Sequence, residues 1–279
     1  MRVSIPGLEG WGRSLSGSRD RAVVLTEEPA SNGFAARLVP GWRERYGVIA
    51  GITVRDTSRP GDFSMALGAD PDRGVGYGNR AALLRELGGL GGGVMARQIA
   101  GSEVLWHTQQ VQGWRICEEA DGHGTAVPGL LLAVTVADCI PVYLLDPVVR
   151  VVMLLHVGWR GLSCGILNHG LDKLIANGSA VENIVMHCGV GISGSRYEVG
   201  SDVAEACGIS GKSDNKVYLD IRQLLFERAC ECGIRTISTS PFCSADSTGL
   251  FFSHRRSRGD PGRMMAFIGL WPEQSAYLA

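Results

Sequence analysis

The chain has 279 residues, of which 45% are hydrophobic and 20% are charged, and its formal net charge is -1. This length predicts one large domain, and the near-neutral charge excludes binding to nucleic acid or an anionic membrane through a strong overall field. The sequence predicts no membrane span and no secretory signal. The eight cysteines lie mostly in apolar runs, which favours reduced thiols in a cytoplasmic protein over a disulfide framework.

The first part of the chain has the fewest structural signals. Gly and Ser are frequent in residues 1–40, which predicts a loosely ordered arm. Residues 41–279 are expected to form a single compact domain. Within it, the segment from Gly47 to Arg55 has the apolar composition of a strand and runs into a polar loop.

A helix is predicted over residues 79–87, where Ala and Leu are frequent. Asn79 would cap its N-terminus. Arg80 would then lie in the first turn, where the helix dipole disfavours a cation. This arginine is therefore a candidate for binding an anion.

Two histidines precede the central part of the chain. His107 is separated from Gln112 by an odd number of positions, so in a regular strand the two side chains face opposite sides. His123 lies between two glycines in a stretch that predicts a turn. A histidine in a turn is more often solvated than functional.

Two apolar runs, Ile140–Leu145 and Val151–Leu155, have the length and composition of strands that are buried on both faces. The residues beside their ends carry reactive groups: Asp138, Cys139 and His156. Ligands in α/β sheets bind close to strand ends. The sequence therefore predicts a ligand site at this place.

Several separated motifs resemble the laccase-domain family. They are Asn79-Arg80, Ala137-Asp138-Cys139-Ile140-Pro141-Val142, His156-Val157-Gly158-Trp159-Arg160-Gly161, Tyr197-Glu198-Val199-Gly200, Phe251-Phe252-Ser253-His254-Arg255-Arg256 and Gly262-Arg263-Met264. The resemblance extends from Gly47 to Trp271. Members of this family were once described as polyphenol oxidases and are now mostly described as purine nucleoside phosphorylases.

The resemblance implies an α/β fold, layered α-β-β-α with mixed sheets, in a single compact catalytic domain. It implies zinc-dependent phosphorolysis of adenosine, inosine or methylthioadenosine, and in some members adenosine deamination. The partners would be a purine nucleoside and phosphate, without nucleic acid or membrane, in a monomer or homodimer. Copper chemistry is disfavoured because the six histidines are too few for a multicopper cluster.

The resemblance also implies one zinc site that is built from two histidines and one cysteine. Cys139 and His156 match two of these ligands. The third lies in a Gln-Val-His-Gly motif, where this chain has Gln110-Val111-Gln112-Gly113. The amide oxygen of Gln112 is a far poorer zinc ligand than imidazole, so zinc binding is expected to be weakened. His123 is the possible substitute ligand.

For such an enzyme the catalytic candidates are Cys139, His156 and Asp138. Cys139 would be a metal-bound thiolate, or a nucleophile if metal is absent, and Asp138 would orient a ligand or accept a proton. Arginines would hold the phosphate. The candidates are Arg80, Arg160 and Arg255, with Arg55 behind them.

Two other functions stay open. Cys139 and His156 also have the composition of a cysteine hydrolase dyad. Some relatives are linked to the removal of wrongly built peptidoglycan precursors, which would be the substrates of such a hydrolase. Alternatively, the chain is a catalytically impaired nucleoside-binding member of the family, for which Gln112 is the main support.

Overall fold

The computed structural model describes residues 22–67, 73–209, 217–246, 249–257 and 262–272. Its strands are β1 (Val23–Val24), β2 (Glu28–Pro29), β3 (Ala36–Leu38), β4 (Val48–Thr53), β5 (Gly92–Arg97), β6 (Val104–His107), β7 (Gly113–Glu119), β8 (Gly122–Thr125), β9 (Leu130–Val136), β10 (Ile140–Asp146), β11 (Val151–Val157), β12 (Val185–Cys188), β13 (Glu198–Val199), β14 (Val217–Tyr218), β15 (Thr236–Thr239) and β16 (Met264–Leu270). Its α-helices are α1 (Trp42–Tyr46), α2 (Arg73–Leu87), α3 (Trp159–Ser163), α4 (Ile166–Ala176), α5 (Ser201–Ala206), α6 (Ile221–Glu231) and α7 (His254–Ser257). Within these ranges, no helix has the length and apolar character needed to cross a membrane.

Two large mixed sheets form the centre of the fold. The first has the strand order β1-β15-β12-β10-β11-β8-β6, and the second has the order β2-β3-β4-β16-β9-β5-β7. Their facing sides pack through apolar side chains such as Leu154 in the first sheet and Val134 in the second. Helices α3, α4 and α6 cover the other side of the first sheet, and α2 covers the other side of the second. The predicted α-β-β-α layering in a single domain is confirmed.

The hairpin of β10 and β11 explains the continuous apolar runs in the sequence. Every residue of both strands is buried, and Ile140 is paired with Val157 in an antiparallel register. One face of the hairpin packs against the helices and the other against the second sheet. Both faces are therefore apolar, and the alternation of a half-exposed strand is absent from the hairpin.

Three times in succession, the chain passes from the end of a strand in the second sheet to the start of a strand in the first sheet. β5, β7 and β9 run parallel in the second sheet, and they are followed in the chain by β6, β8 and β10 of the first sheet. These three following strands also share one direction, because β6 is parallel to β8 and both β8 and β10 are antiparallel to β11. The three connecting loops therefore lie at the same edge, together with the end of β11. We call this the crossing edge.

Residues 22–40 do not form the predicted loosely ordered arm. They add β1 to the first sheet beside β15, and they add β2 and β3 to the second sheet beside β4. Glu27 is buried between them, with its carboxylate 3.1 Å from His187 Nε2 and accepting a hydrogen bond of 2.7 Å from Ser240 Oγ. This carboxylate fixes the segment to the first sheet. The remainder of the predicted arm, residues 1–21, lies outside the described residues.

Two local predictions are corrected by the fold. Helix α2 begins at Arg73, so Asn79 lies inside the helix, where its amide donates to the carbonyl oxygens of Pro60 at 3.1 Å and Ser64 at 2.8 Å. The predicted turn at His123 is wrong, because His123 belongs to β8 and is fully buried. In both places the partners that fix the structure come from distant parts of the chain.

Replacing Glu27 with Ala tests whether this carboxylate fixes the N-terminal segment. We expect the free energy of unfolding, measured with urea, to fall by about 3 kcal/mol, because the buried His187 and Ser240 both lose a partner. Glu28→Ala is the matched control: its side chain is the exposed neighbour, and its removal should change stability by less than about 0.5 kcal/mol. Equally small losses in both variants would contradict the role of Glu27.

Candidate active site

The crossing edge gathers four reactive side chains. Asp121 lies between β7 and β8, Asp138 and Cys139 lie between β9 and β10, and His156 lies near the end of β11. The register pairs Pro141 with His156, so Cys139, two residues before Pro141, falls on the same face as His156. This face of the first sheet is the one that packs towards the second sheet.

Asp121 fixes the orientation of His156. Its carboxylate is fully buried, and Oδ1 lies 2.7 Å from His156 Nδ1. The loop after β5 supplies three more donors, the backbone N–H groups of Ile99 at 3.1 Å, Ala100 at 3.0 Å and Gly101 at 2.7 Å. Because a buried carboxylate requires such partners, Asp121 connects the first of the crossing loops to the end of β11.

Cys139 contacts the other side of the imidazole. Asp121 occupies Nδ1, which leaves Nε2 for the hydrogen bond between His156 and the Cys139 thiol. Burial acts to lower the pKa of His156, but its interactions with Cys139 and with the Asp121 carboxylate act in the other direction and raise it to about 10. Burial likewise acts to raise the pKa of Asp121, whereas the hydrogen bonds from His156 and Gly101 bring it below its usual value. The arrangement favours a protonated imidazole beside the Asp121 carboxylate.

Both carboxylate oxygens of Asp138, for which a role in orienting a ligand or accepting a proton is predicted, already accept hydrogen bonds. Its Oδ1 accepts a hydrogen bond of 2.6 Å from Ser244 Oγ, and its Oδ2 accepts one of 2.7 Å from the backbone N–H of Arg255. Its backbone has a φ of 92°, which non-glycine residues rarely adopt. The carboxylate therefore anchors the loop after β15 and the start of α7 beside Cys139.

Two of the predicted phosphate-binding arginines reach the crossing edge. The guanidinium of Arg255 lies 5.0 Å from the ring centre of Tyr197, and its Nη1 donates to the Glu198 carbonyl oxygen at 2.9 Å. Arg160 is exposed in the first turn of α3, 4.4 Å from the ring centre of Trp159. Its guanidinium has no hydrogen-bond or ion-pair partner among the described residues. Both arginines retain N–H donors for an anion.

The other two predicted arginines already bind other groups of the protein. Arg80 is buried, and its Nε and Nη2 donate to the Met65 carbonyl oxygen at 3.0 and 2.6 Å. Burial lowers the pKa of Arg80 to about 10. Because α2 begins well before Arg80, the expected position in the first turn of a helix is wrong. Arg55 donates from Nε and Nη2 to Asp62 Oδ2 at 2.9 and 2.6 Å, so its charge is already paired.

Gln112 lies far from the crossing edge. It is exposed directly before β7, whose first residue, Gly113, is in register with Gly92 and through it with Leu130 at the start of β9. Cys139 lies beyond the opposite end of β9, roughly 20 Å away at the usual rise of a strand. The predicted metal-ligand role of Gln112 is therefore wrong, because its strand begins at the edge opposite the reactive residues.

Sequence analysis missed both Asp121 and the loop that binds it. The segment Gln98-Ile99-Ala100-Gly101 also has the Gln-x-x-Gly spacing of the family motif, with alanine at the histidine position. Its glutamine side chain hydrogen-bonds the backbone near the end of β9. The closer local match at residues 110–113 caused the error. The signal that identifies the correct segment is its position after a strand that ends at the crossing edge.

The side chains at this edge do not fit a zinc site with three protein ligands. Cys139 and His156 are suitable donor types, but Ala100 offers only a methyl group. The described ranges contain no group of three or more His, Cys, Asp or Glu side chains that could hold a metal ion. His123, the proposed substitute, is buried within β8 and its Nδ1 lies 2.9 Å from His107 Nε2. It does not lie on a loop that could move into the site.

Comparisons with known proteins bear on the use of this site. The family model described as "Multi-copper polyphenol oxidoreductase laccase" matches residues 50–271. A purine nucleoside phosphorylase of Deinococcus radiodurans is 36% identical over 203 residues, which cover 69% of this chain and 76% of the relative. Purine nucleoside phosphorylase YfiH of Escherichia coli is 31% identical over 247 residues, which cover 84% and 98%. The crystal structure of YlmD from Geobacillus stearothermophilus is similar with a TM-score of 0.77 and 26% identity, over 90% of this chain and 100% of that one.

The fully buried His123, next to the half-buried His107, makes stability sensitive to acid. Burial and then the charge of His107 lower the pKa of His123 to about 3, whereas an unfolded chain has a histidine pKa of about 6.5. As the pH falls, the unfolded state therefore binds the proton first. The stability contributed by neutral His123 is complete above about pH 6.5 and is lost progressively below it.

We expect the free energy of unfolding of the wild type to fall by about 2 kcal/mol more between pH 7 and pH 5 than that of His123→Asn. Urea unfolding at the two pH values measures this difference. His169→Asn removes an exposed histidine and should retain the wild-type pH dependence. If His123→Asn also retains it, the buried neutral imidazole is not the acid-sensitive group.

Proposed function

This chain belongs to the multi-copper polyphenol oxidoreductase laccase family, and from its relatives and its site we propose that it is a phosphorylase that cleaves adenosine, inosine or methylthioadenosine with phosphate. The relatives named purine nucleoside phosphorylases support this class of reaction. The proposal rests on the contacts that join Cys139, His156 and Asp121 at an edge that two arginines also reach. In this reaction a phosphate oxygen attacks C1′ of the ribose, the glycosidic bond breaks, and the purine leaves with a proton.

Arg160 and Arg255 would hold the phosphate. A guanidinium binds phosphate oxygens through paired N–H donors, and both side chains are exposed at the crossing edge. They come from different elements, α3 and α7, so they can approach one anion from two directions. The position of Arg255 depends on Asp138, which accepts its backbone N–H.

His156 would supply the proton that the purine needs on departure. Its Nδ1 is held by Asp121, which fixes the orientation of the ring. The neighbouring Cys139 stabilises the protonated imidazole, and such a group can donate as charge develops on the leaving base. Cys139 and Asp121 therefore act in this mechanism through His156.

The mechanism assigns no step to zinc. The two donors Cys139 and His156 do not make a site with three protein ligands, so every role above belongs to side chains of the chain. For the same reason we do not extend the proposal to adenosine deamination, which relies on metal-activated water in the zinc deaminases.

A cysteine hydrolase is the second candidate, and one observation favours it. Cys139, His156 and Asp121 follow the order of a nucleophile, a base and an orienting carboxylate. The thiolate would attack an amide carbonyl carbon, the amine would leave with the proton of the imidazole, and water would then release the acid from the thioester. Amide bonds of peptidoglycan precursors are a substrate class for this reaction.

Phosphate-dependent release of adenine from adenosine distinguishes these functions. We expect Cys139→Ala to lower kcat at least about 100-fold, because the imidazolium loses the neighbour that raises its pKa. Asp121→Asn should lower kcat by a similar factor with little change in the KM for adenosine, because the ring loses its orientation and not its substrate contacts. Cys230→Ala, which removes an exposed thiol, is the matched control and should leave both constants unchanged.

The outcomes separate the candidates. Adenine release that does not require phosphate, or that survives Cys139→Ala, would contradict the proposed mechanism. Phosphate-independent amide hydrolysis that Cys139→Ala abolishes would support the hydrolase. Nucleoside binding without turnover in a folded wild type would identify a binding protein.

Arg160 provides a separate test of the phosphate site. We expect Arg160→Ala to raise the KM for phosphate about tenfold, because a charged hydrogen-bond donor is lost. The KM for adenosine should stay close to the wild-type value. Arg85→Ala removes another exposed arginine and serves as the control. Equal phosphate KM values in the two variants would exclude Arg160 from phosphate binding.

A further inference from the structure

The loop after β5 borders the reactive pair, although the proposed reaction gives none of its side chains a role. Ala100 N and His156 Nδ1 both bond to Asp121 Oδ1, at 3.0 and 2.7 Å, so they lie within two hydrogen-bond lengths of each other. The backbone at Gly101 also approaches α3 closely: its carbonyl oxygen would lie 3.0 Å from the Cβ of any larger residue at Gly161. The backbone at positions 100 and 101 therefore lies close to the His156 imidazole and to the helix that follows it.

The backbone at position 100 is unusual for the residue that occupies it. Ala100 has a φ of 58°, in the left-handed region. Among non-glycine residues, Asn, Asp and His are enriched there, and alanine has no polar side chain to offset the cost. Alanine is thus a poor choice for this backbone, and histidine is one of the better ones.

We infer that Ala100 occupies the third ligand position of a metal site whose other two ligands are Cys139 and His156. This chain offers a divalent transition metal only two protein ligands there, so its affinity for zinc is expected to be weak. The single substitution Ala100→His completes a donor set of one thiolate and two imidazoles, with a fourth position left for solvent. This inference concerns donor atoms and does not depend on the substrate.

The other candidate ligands do not supply this third position. Gln112 lies at the opposite end of β9. The Nδ1 of His123 is engaged with His107 inside the sheet. The carboxylate of Asp121 already accepts hydrogen bonds from three backbone N–H groups and from His156. The missing donor is therefore a property of position 100.

Zinc affinity, measured by competition with a chromophoric chelator on untagged protein stripped of metal, tests the inference. We expect the wild type to lose zinc to the chelator and Ala100→His to bind one equivalent at least about 100-fold more tightly. Ala100→Asn is the matched control, because asparagine tolerates the same backbone but is a poor zinc ligand. Gln112→His is the second control and should gain no affinity.

Cobalt provides a readout of the ligands themselves. At one equivalent of cobalt, we expect Ala100→His to show a thiolate-to-cobalt charge-transfer band, which the weakly binding wild type and Gln112→His lack under the same conditions. Adding Cys139→Ser to the Ala100→His variant should remove this band. These measurements use no substrate, so their failure is distinguishable from a failure of the phosphorylase proposal.

Three results would overturn the inference. The first is a wild type that retains one equivalent of zinc against the chelator. The second is affinity gained by Gln112→His. The third is a folded Ala100→His that gains none. If circular dichroism shows that Ala100→His does not fold, Ala100→Cys supplies a thiolate at the same position, and the same gain is then required of that variant.

Discussion

The buried carboxylate of Asp121 is the interaction on which the crossing edge depends. A charge removed from water is tolerated only when it is paired and hydrogen-bonded, and removing one partner of such a group is costly. Asp121 meets this requirement with three N–H groups of the loop after β5 and with the His156 imidazole on β11. Asp121 thereby holds the loop after β5 and the end of β11 in one fixed arrangement. The reactive centre is a consequence of how the strands cross, and no single motif contains it.

Asp138 is a second carboxylate whose hydrogen bonds hold the neighbouring loops in place. Its two oxygens accept hydrogen bonds from Ser244 and from the backbone of Arg255, and these bonds accompany a backbone conformation that is costly by itself. One carboxylate therefore positions an imidazole and the other positions a guanidinium-bearing segment, both next to Cys139. This division places an imidazole and a guanidinium beside one thiol. The proposed phosphate-dependent cleavage uses both.

The sequence identified the parts of the site that local patterns encode. Cys139 and His156 are predictable because they flank long apolar runs, which form buried strands wherever both faces are covered. The burial of His123 is not predictable locally, because β8 is short and contains glycine and threonine, and it becomes buried through pairing with β6 and β11. The position of Arg80 is not predictable either, because the carbonyl group of Met65, which accepts its hydrogen bonds, belongs to a loop that local periodicity cannot position. In both cases the contacts that fix the residue come from distant parts of the chain.

Motif similarity and topology gave different answers for the third ligand position, and topology decides between them. The segments 98–101 and 110–113 share the same glutamine and glycine spacing, but only the first follows a strand that ends at the crossing edge. Asp121 would orient His156 in the same way whether the imidazole bound a metal or served a thiol. The frame around Cys139 is therefore compatible with either chemistry. The donor atom at position 100 separates them, and in this chain that position carries a methyl group.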